Sequence, residues 1–166
     1  TDPASRELFT QAAQRIRVTA RTHERLYRDH DGTSVEFGTY LRELCDDLAR
    51  TYGDAKVVVD ARRVQLPADT AINLALIANE LVTNAFKYAF PDGREGQVTV
   101  KFTGNERNWC LHVADDGIGL PAEFAVRRRQ SLGMQIVEGL SNQLGATLTA
   151  ENRTAGAVFA VRSTGP

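Results

Sequence analysis

The sequence predicts an α+β fold: a two-layer α/β sandwich, with helices on one face of a mixed, mostly antiparallel sheet, preceded by N-terminal helices. Three observations carry this reading. Gln97 to Thr103 with Trp109 to Ala114, and Ala146 to Glu151 with Ala157 to Ser163, alternate apolar and polar residues around turn signals, as hairpins do. Helix-period segments flank them, from Pro67 to about Ala89 and from Leu132 to Gln143. The stretch before Gly53 holds two further amphipathic helices. Runs of helix followed by hairpins point to segregated layers rather than alternating βαβ units.

Taken in order, Ser5 to about Asp29 reads as a helix. Leu8, Ala12, Ile16, Thr19, His23 and Leu26 form one stripe, widened by Phe9, Ala13, Ala20 and Tyr27, and the helix is expected to pack on the α/β part or on a partner. Its arginines, Arg15 among them, fall mostly off that stripe. Asp31-Gly32 is the expected stop. Thr33 and Glu36 have the spacing of a capping box and predict a second helix starting at Thr33, with Phe37, Tyr40, Leu41, Leu44, Cys45 and Leu48 inward and Gly53 as its end. Lys56 to Ala61 and Val64 to Leu66 have strand character. The long helix from Pro67 buries Leu74, Ile77, Ala78, Leu81 and Ala85 and ends at Phe90-Pro91-Asp92-Gly93. Gly104-Asn105 opens the turn of the first hairpin, and Asn152 to Gly156 makes the last turn.

The 166 residues suit one domain or a domain with an attachment. Twenty basic residues against 21 acidic ones leave a net charge of −1, which argues against a nucleic-acid partner. No apolar run approaches the roughly 18 residues of a membrane span, and no leader pattern is visible, so no membrane contact and a cytoplasmic location are expected. Cys45 and Cys110 are too few for a disulfide framework or a zinc spacing and read as ordinary thiols.

Three sets of residues carry chemistry. On the long helix Glu80, Asn84 and Lys87 are spaced i, i+4, i+7 and present a carboxylate, an amide and an ammonium on one stripe. An amide oxygen suits Mg²⁺, an ammonium suits phosphate, and a carboxylate can orient or deprotonate a nucleophile. Asp115-Asp116-Gly117-Ile118-Gly119 follows a strand, where a carboxylate can accept from a ligand amino group and glycines permit close approach. Ser131-Leu132-Gly133 opens a helix whose free N–H groups favour an anion.

The ordered series Glu80-x-x-x-Asn84-Ala85-x-Lys87-Tyr88, Asp115-x-Gly117-x-Gly119 and Leu132-Gly133-Met134-x-Ile136-Val137 resembles the N, G1 and G2 boxes of sensor histidine kinases. These belong to the gyrase, Hsp90, histidine kinase and MutL (GHKL) ATPase superfamily, with its Bergerat-type ATP-binding fold. Arg15-Ile16, Thr22 to Tyr27 and Val35 to Leu44 are similar to the segment after the phosphoacceptor in the subfamily called HisKA_2. Asn79 stands where the related HWE subfamily has histidine. The resemblance covers about Arg6 to Ser163.

It implies residues 1–53 as a partial dimerisation and phosphotransfer region and 54–166 as the ATP-binding catalytic domain. It implies ATP and Mg²⁺ as ligands. Asp115 would receive the adenine amino group, and Gly117 and Gly119 would shape its pocket. Asn84 would hold Mg²⁺, Lys87 and Tyr88 would meet phosphate and ribose, and Ser131, Leu132 and Gly133 would meet the phosphates. Pro121 to Gln130 would form the lid, with Arg127, Arg128 and Arg129 as phosphate contacts. Glu80 would be the catalytic carboxylate. The activity implied is transfer of the ATP γ-phosphoryl group to a histidine on an acceptor domain, in cis or in a dimer partner, for relay to a response regulator receiver domain.

The pattern also departs from the family. Ser131 replaces the first glycine of the G2 box, and Ala157 follows Gly156 where many relatives have threonine. The His-Arg-x-x-Asn acceptor motif is missing, so the chain reads as a fragment of a longer homodimeric kinase. His23 reads as a packed structural residue, and His30 and His112 as incidental. Two other readings remain, a degenerate nucleotide-binding or protein-interaction module and an anti-sigma-type serine kinase.

Overall fold

The computed structural model describes residues 2–28, 33–52 and 55–165. The elements in order are α1 (Pro3–Arg28), β1 (Ser34–Glu36), α2 (Phe37–Tyr52), β2 (Lys56–Ala61), β3 (Gln65–Pro67), α3 (Ala68–Tyr88), β4 (Gln97–Gly104), β5 (Trp109–Asp115), α4 (Phe124–Gln130), α5 (Leu132–Gln143), β6 (Ala146–Asn152) and β7 (Ala157–Ser163). The main sheet has the order β2-β4-β5-β7-β6. Its β2–β4 pair is parallel and its other pairs are antiparallel. This is the mixed, mostly antiparallel sheet that the two hairpins predict.

Alternation sorts the sheet into two faces. Val98, Val100 and Phe102 on β4, Leu111 and Val113 on β5, and Val161 on β7 are buried on the helix side. Lys101 and Arg162, from the opposite phase, are exposed. α3 lies at the centre of the helical layer. Leu74, Ile77, Ala78 and Leu81 are at most 1% exposed, and burying each large aliphatic side chain contributes about 1.5–3 kcal/mol. α2 joins the same core, with the Phe37 and Phe102 ring centroids 4.9 Å apart and edge to face.

The start of α2 differs from the expected capping box. Residues 34–36 form a strand that pairs antiparallel with β3, Val35 opposite Leu66, and the helix begins at Phe37. Glu36 itself caps that helix. Its carboxylate accepts from Gly38 N at 3.0 Å and Thr39 N at 3.1 Å, and also from Val64 N at 3.2 Å across the turn. Burial works to raise the Glu36 pKa, but the bonds from Thr39, Val64 and Gly38 outweigh it and hold the carboxyl below its ordinary range.

Of the two expected placements of α1, the structure does not show its N-terminal apolar stripe packed on the α/β part. Leu8, Phe9 and Ile16 are 58%, 71% and 70% exposed. Ala12 and His23 are exposed too, so His23 is not a packed residue. Gln14 and Val18 are buried instead, and Tyr40 Oη donates to Val18 O at 2.9 Å. The cause lies on α3. Its flank toward α1 carries Glu80 and Lys87, which draw the polar side of α1 inward through Arg15 and Glu7. The side chains of Leu26 and Tyr27, together with His30, Asp31-Gly32 and Gly53, lie outside the described residues.

Cys45 is buried, and burial followed by the charge of Asp46 pushes its thiol up to about 12, so it is inert. Cys110 Sγ lies 3.0 Å from His112 Nε2 on the outer face of β5. Burial and then Arg162, Arg153 and Lys101 lower the His112 pKa, which keeps the ring neutral at neutral pH.

Candidate functional site

A cavity of about 620 Å³ opens between α3, the end of β5, α4 and the start of α5. Leu81, Val113, Met134 and Phe159 make its apolar floor. Asp115 closes one end. Its Oδ1 accepts from Gly117 N at 2.9 Å and Ala157 N at 3.3 Å. Both bonds fall on one oxygen, which leaves Oδ2 for a ligand donor. Burial pushes the Asp115 carboxyl above its ordinary range, against the two N–H bonds and with a smaller push from Asp116.

The loop after β5 is fixed by close backbone contacts. Ile118 N donates to Ala89 O at 3.0 Å. A Cβ on Gly117 would lie 2.2 Å from that same carbonyl oxygen. Gly119 has φ +79°, and Asn152 brackets Leu120 with bonds of 2.6 and 3.2 Å. Gly156, at φ +77°, lies where a Cβ would meet Asp115 O at 1.9 Å. Glycine at these positions lets two loops close around one carboxylate.

The other end of the cavity is polar and cationic. Asn84 and Tyr88 face it from α3, Arg127 and Arg128 from α4, and Ser131 from the start of α5. Ser131 caps α5, its Oγ accepting from Met134 N at 3.4 Å. Arg128 Nε pairs with Glu138 Oε1 at 2.9 Å. Asn84 Nδ2 lies 3.5 Å from Met134 Sδ, which leaves its amide oxygen as the group suited to a cation.

Of the expected site residues, Asn84, Tyr88, Asp115, Gly119, Arg128 and Ser131 therefore meet around one cavity. Gly117 and Gly133 stand behind the wall, and Leu132 is 51% exposed. A Cβ on Gly133 would lie 2.8 Å from Glu80 Oε2, so that glycine seats α5 against the carboxylate. Glu80 is 5% exposed and is gripped by Arg15 through bonds of 2.7 and 2.9 Å. Lys87 points away from the cavity to Glu7, at 2.5 Å. The expected lid contains a helix, α4, with Phe124 packed edge to face on Phe159 at 5.7 Å. Four contributors were not among the expected site residues: Glu7, Arg15, Phe124 and Asn152. Arg15 was noted only in the resemblance and off the apolar stripe of its helix, Phe124 only within the expected lid and Asn152 only as a turn residue.

The arrangement suits a flat, largely apolar ligand that offers an amino donor at one end and an anion at the other. Among the described residues no group of three or more His, Cys, Asp or Glu side chains could hold a metal. A cation here would share its shell with a ligand phosphate and water, as Mg²⁺ does, and a single Asn84 oxygen fits that role.

Residues 43–157 match the family of the histidine kinase-like ATPase domain, and residues 1–52 match the histidine kinase family HisKA_2. The chain belongs to the histidine kinase-like ATPase domain family. The sensor histidine kinase PdtaS of Mycobacterium tuberculosis is 32% identical over 143 residues, 81% of this chain and 28% of that protein. Blue-light-activated histidine kinase 2 of Erythrobacter litoralis is 30% identical over 129 residues, 75% of this chain and 37% of that protein. The chain thus spans about a third of the length of the curated relatives it matches. Among solved structures, the Erythrobacter litoralis EL346 blue-light-activated histidine kinase superposes with a TM-score of 0.83 at 25% identity, covering 95% of this chain and 49% of that one. The histidine kinase domain of the same protein gives 0.76 at 26% identity, covering 90% and 74%. The expected fold, with its Bergerat-type domain, is the fold found. No helix among the described residues is long and apolar enough to cross a membrane.

Proposed function

We propose that this chain is the ATP-binding catalytic part of a two-component sensor histidine kinase, passing the γ-phosphoryl group to a histidine outside these residues for relay to a response regulator receiver domain. The observation that supports it most is Asp115, a half-buried carboxylate with one oxygen fixed and one free at the apolar end of the cavity. In this reading Asp115 accepts from the adenine amine, and the loop held by Gly117, Gly119 and Asn152 sets the width of the slot. Asn84 binds Mg²⁺, which neutralises phosphate charge when present. Arg127, Arg128 and the capped start of α5 receive the phosphates, with Tyr88 at the rim. Glu80 orients the acceptor imidazole or takes its proton. Lys87 and Gly133 serve the phosphate end, Lys87 after leaving Glu7.

Phosphoryl transfer asks for positioning and charge stabilisation more than covalent help, and these residues supply both. The exposed Leu8, Phe9 and Ile16 stripe of α1 supports a homodimer in the parent protein. A cytoplasmic location belongs to the same reading. The test is to incubate the chain with γ-labelled ATP and the acceptor domain of a related sensor kinase. Acid-labile, base-stable label on the acceptor is the expected result. ATP binding with no label on any histidine acceptor overturns the kinase reading.

A further inference from the structure

The outer face of the sheet carries a cluster of side chains that the nucleotide site does not use. Residues of β5 alternate, so Leu111 and Val113 are buried on the helix side while Cys110 and His112 point the other way. Cys110 Sγ lies 3.0 Å from His112 Nε2. Register sets their neighbours. Arg162 on β7 stands opposite Cys110, and Lys101 on β4 and Ala160 on β7 stand opposite His112, which puts each pair about 5 Å apart at Cβ. Arg153, from the turn between β6 and β7, adds a third positive charge that acts on the imidazole.

The charge balance around the pair is positive. Asp60 on β2 pairs with Lys101 at 3.3 Å, but both side chains are more than half exposed, so that pair is screened and weak. Glu151 lies on the same face, on the strand beyond β7. Burial, and then the charges of Arg162, Arg153 and Lys101, keep the imidazole neutral at neutral pH, so it can take a proton from the thiol. Cys110 itself is 8% exposed. Its neighbours on that face are side chains such as the exposed Arg162, whereas the helix packed on β5, α3, lies on the other face. Rotation of a long exposed side chain therefore opens this sulfur to solvent, while Cys45 in the core is freed only by unfolding.

We propose that Cys110 and His112 form a thiol-modification site for small, negatively charged disulfides such as oxidised glutathione. The cationic side chains draw the acidic disulfide to this face. The Cys110 sulfur attacks one sulfur of the disulfide as its proton passes to His112 Nε2. A new S–S bond joins Cys110 to one half of the disulfide, and the old S–S bond breaks. The other half leaves as a thiolate and recovers the proton from His112. Cys110 is oxidised and the leaving half is reduced, so the disulfide itself is the oxidant. The pair lies on the opposite face of β5 from Val113, which lines the cavity, so this site stands apart from the ATP-binding reading.

The experiment exposes the unmutated chain to glutathione disulfide, which is anionic, and to cystamine, which is cationic, and locates the mixed disulfides by mass spectrometry of peptides. The same chain in denaturant gives the intrinsic reactivity of both thiols. In the folded chain, label is expected on Cys110 and not on Cys45. Glutathione disulfide should be favoured over cystamine about ten-fold or more relative to the denatured chain, the lower end of electrostatic steering. His112→Gln should slow labelling about 10²-fold at neutral pH, the usual worth of a positioned proton acceptor. Labelling of that variant should recover at alkaline pH, where hydroxide replaces the imidazole, and a merely structural histidine would give no such recovery. A folded chain that takes no label, or takes it on Cys45 alone, overturns the site. Equal labelling by the two disulfides overturns the anionic class, and an unchanged rate in His112→Gln overturns the role of the imidazole.

Discussion

Gly133 and Glu80 are in contact so close that a single methyl on Gly133 would lie 2.8 Å from the carboxylate Oε2. The start of α5 thus rests on the same carboxylate that Arg15 grips from the other side. The Gly133→Ala variant must move α5, Glu80 or both. Overpacking of this kind costs about 1–3 kcal/mol, offset in part by the better helix propensity of alanine. A lower Tm and weaker ATP binding are expected in thermal denaturation with and without nucleotide. An unchanged Tm together with unchanged ATP stabilisation would show that the contact is slack.

Glu36 offers a test of the fold that is independent of the site. Its three backbone bonds tie α2 to the turn before β3. Glu36→Ala is expected to lower stability by about 1–2 kcal/mol, the usual worth of a lost helix cap. The pH dependence has a definite sign. The folded pKa lies below the ordinary carboxylate value, so the contribution is complete above roughly pH 4.3 and lost as pH falls through the lowered value. Denaturant unfolding should show a clear gap between the two proteins at neutral pH that narrows in acid. A gap that widens in acid would contradict the assignment.

The sheet and the central helix were legible from the sequence because their patterns are local. Val98, Val100 and Phe102 alternate, and Leu74, Ile77, Ala78 and Leu81 recur at helix spacing, so each segment announces its own buried face. The cavity was legible through residue chemistry, since Asp115 and Ser131 sit at element ends and Asn84 lies on the polar stripe of α3. The orientation of α1 was not. Its apolar stripe names a face that wants covering but not what covers it, and Arg15 meets Glu80 across 65 positions. β1 was hidden for a different reason. At three residues it exists through pairing with β3, and Glu36 reads equally well as part of a capping box.

Glu80 separates binding from chemistry. Glu80→Gln keeps the size of the side chain and is expected to leave ATP affinity within about two-fold. Transfer to an acceptor histidine should slow by about 10²-fold or more, the usual worth of a positioned proton acceptor. Parallel calorimetry and transfer assays check this. An undiminished transfer rate would remove Glu80 from the proton path and leave it as the partner of Arg15 and the seat of Gly133.

The most direct measurement is ATP binding by the unmutated chain and by Asp115→Asn, titrated with Mg²⁺ present. The variant keeps the shape of the side chain but exchanges the free carboxylate oxygen for one end of an amide. Saturable binding by the unmutated chain, weakened at least ten-fold in the variant, is the predicted result. Equal affinities would contradict the adenine site at Asp115, and with it the reading of this cavity as the nucleotide pocket of a histidine kinase.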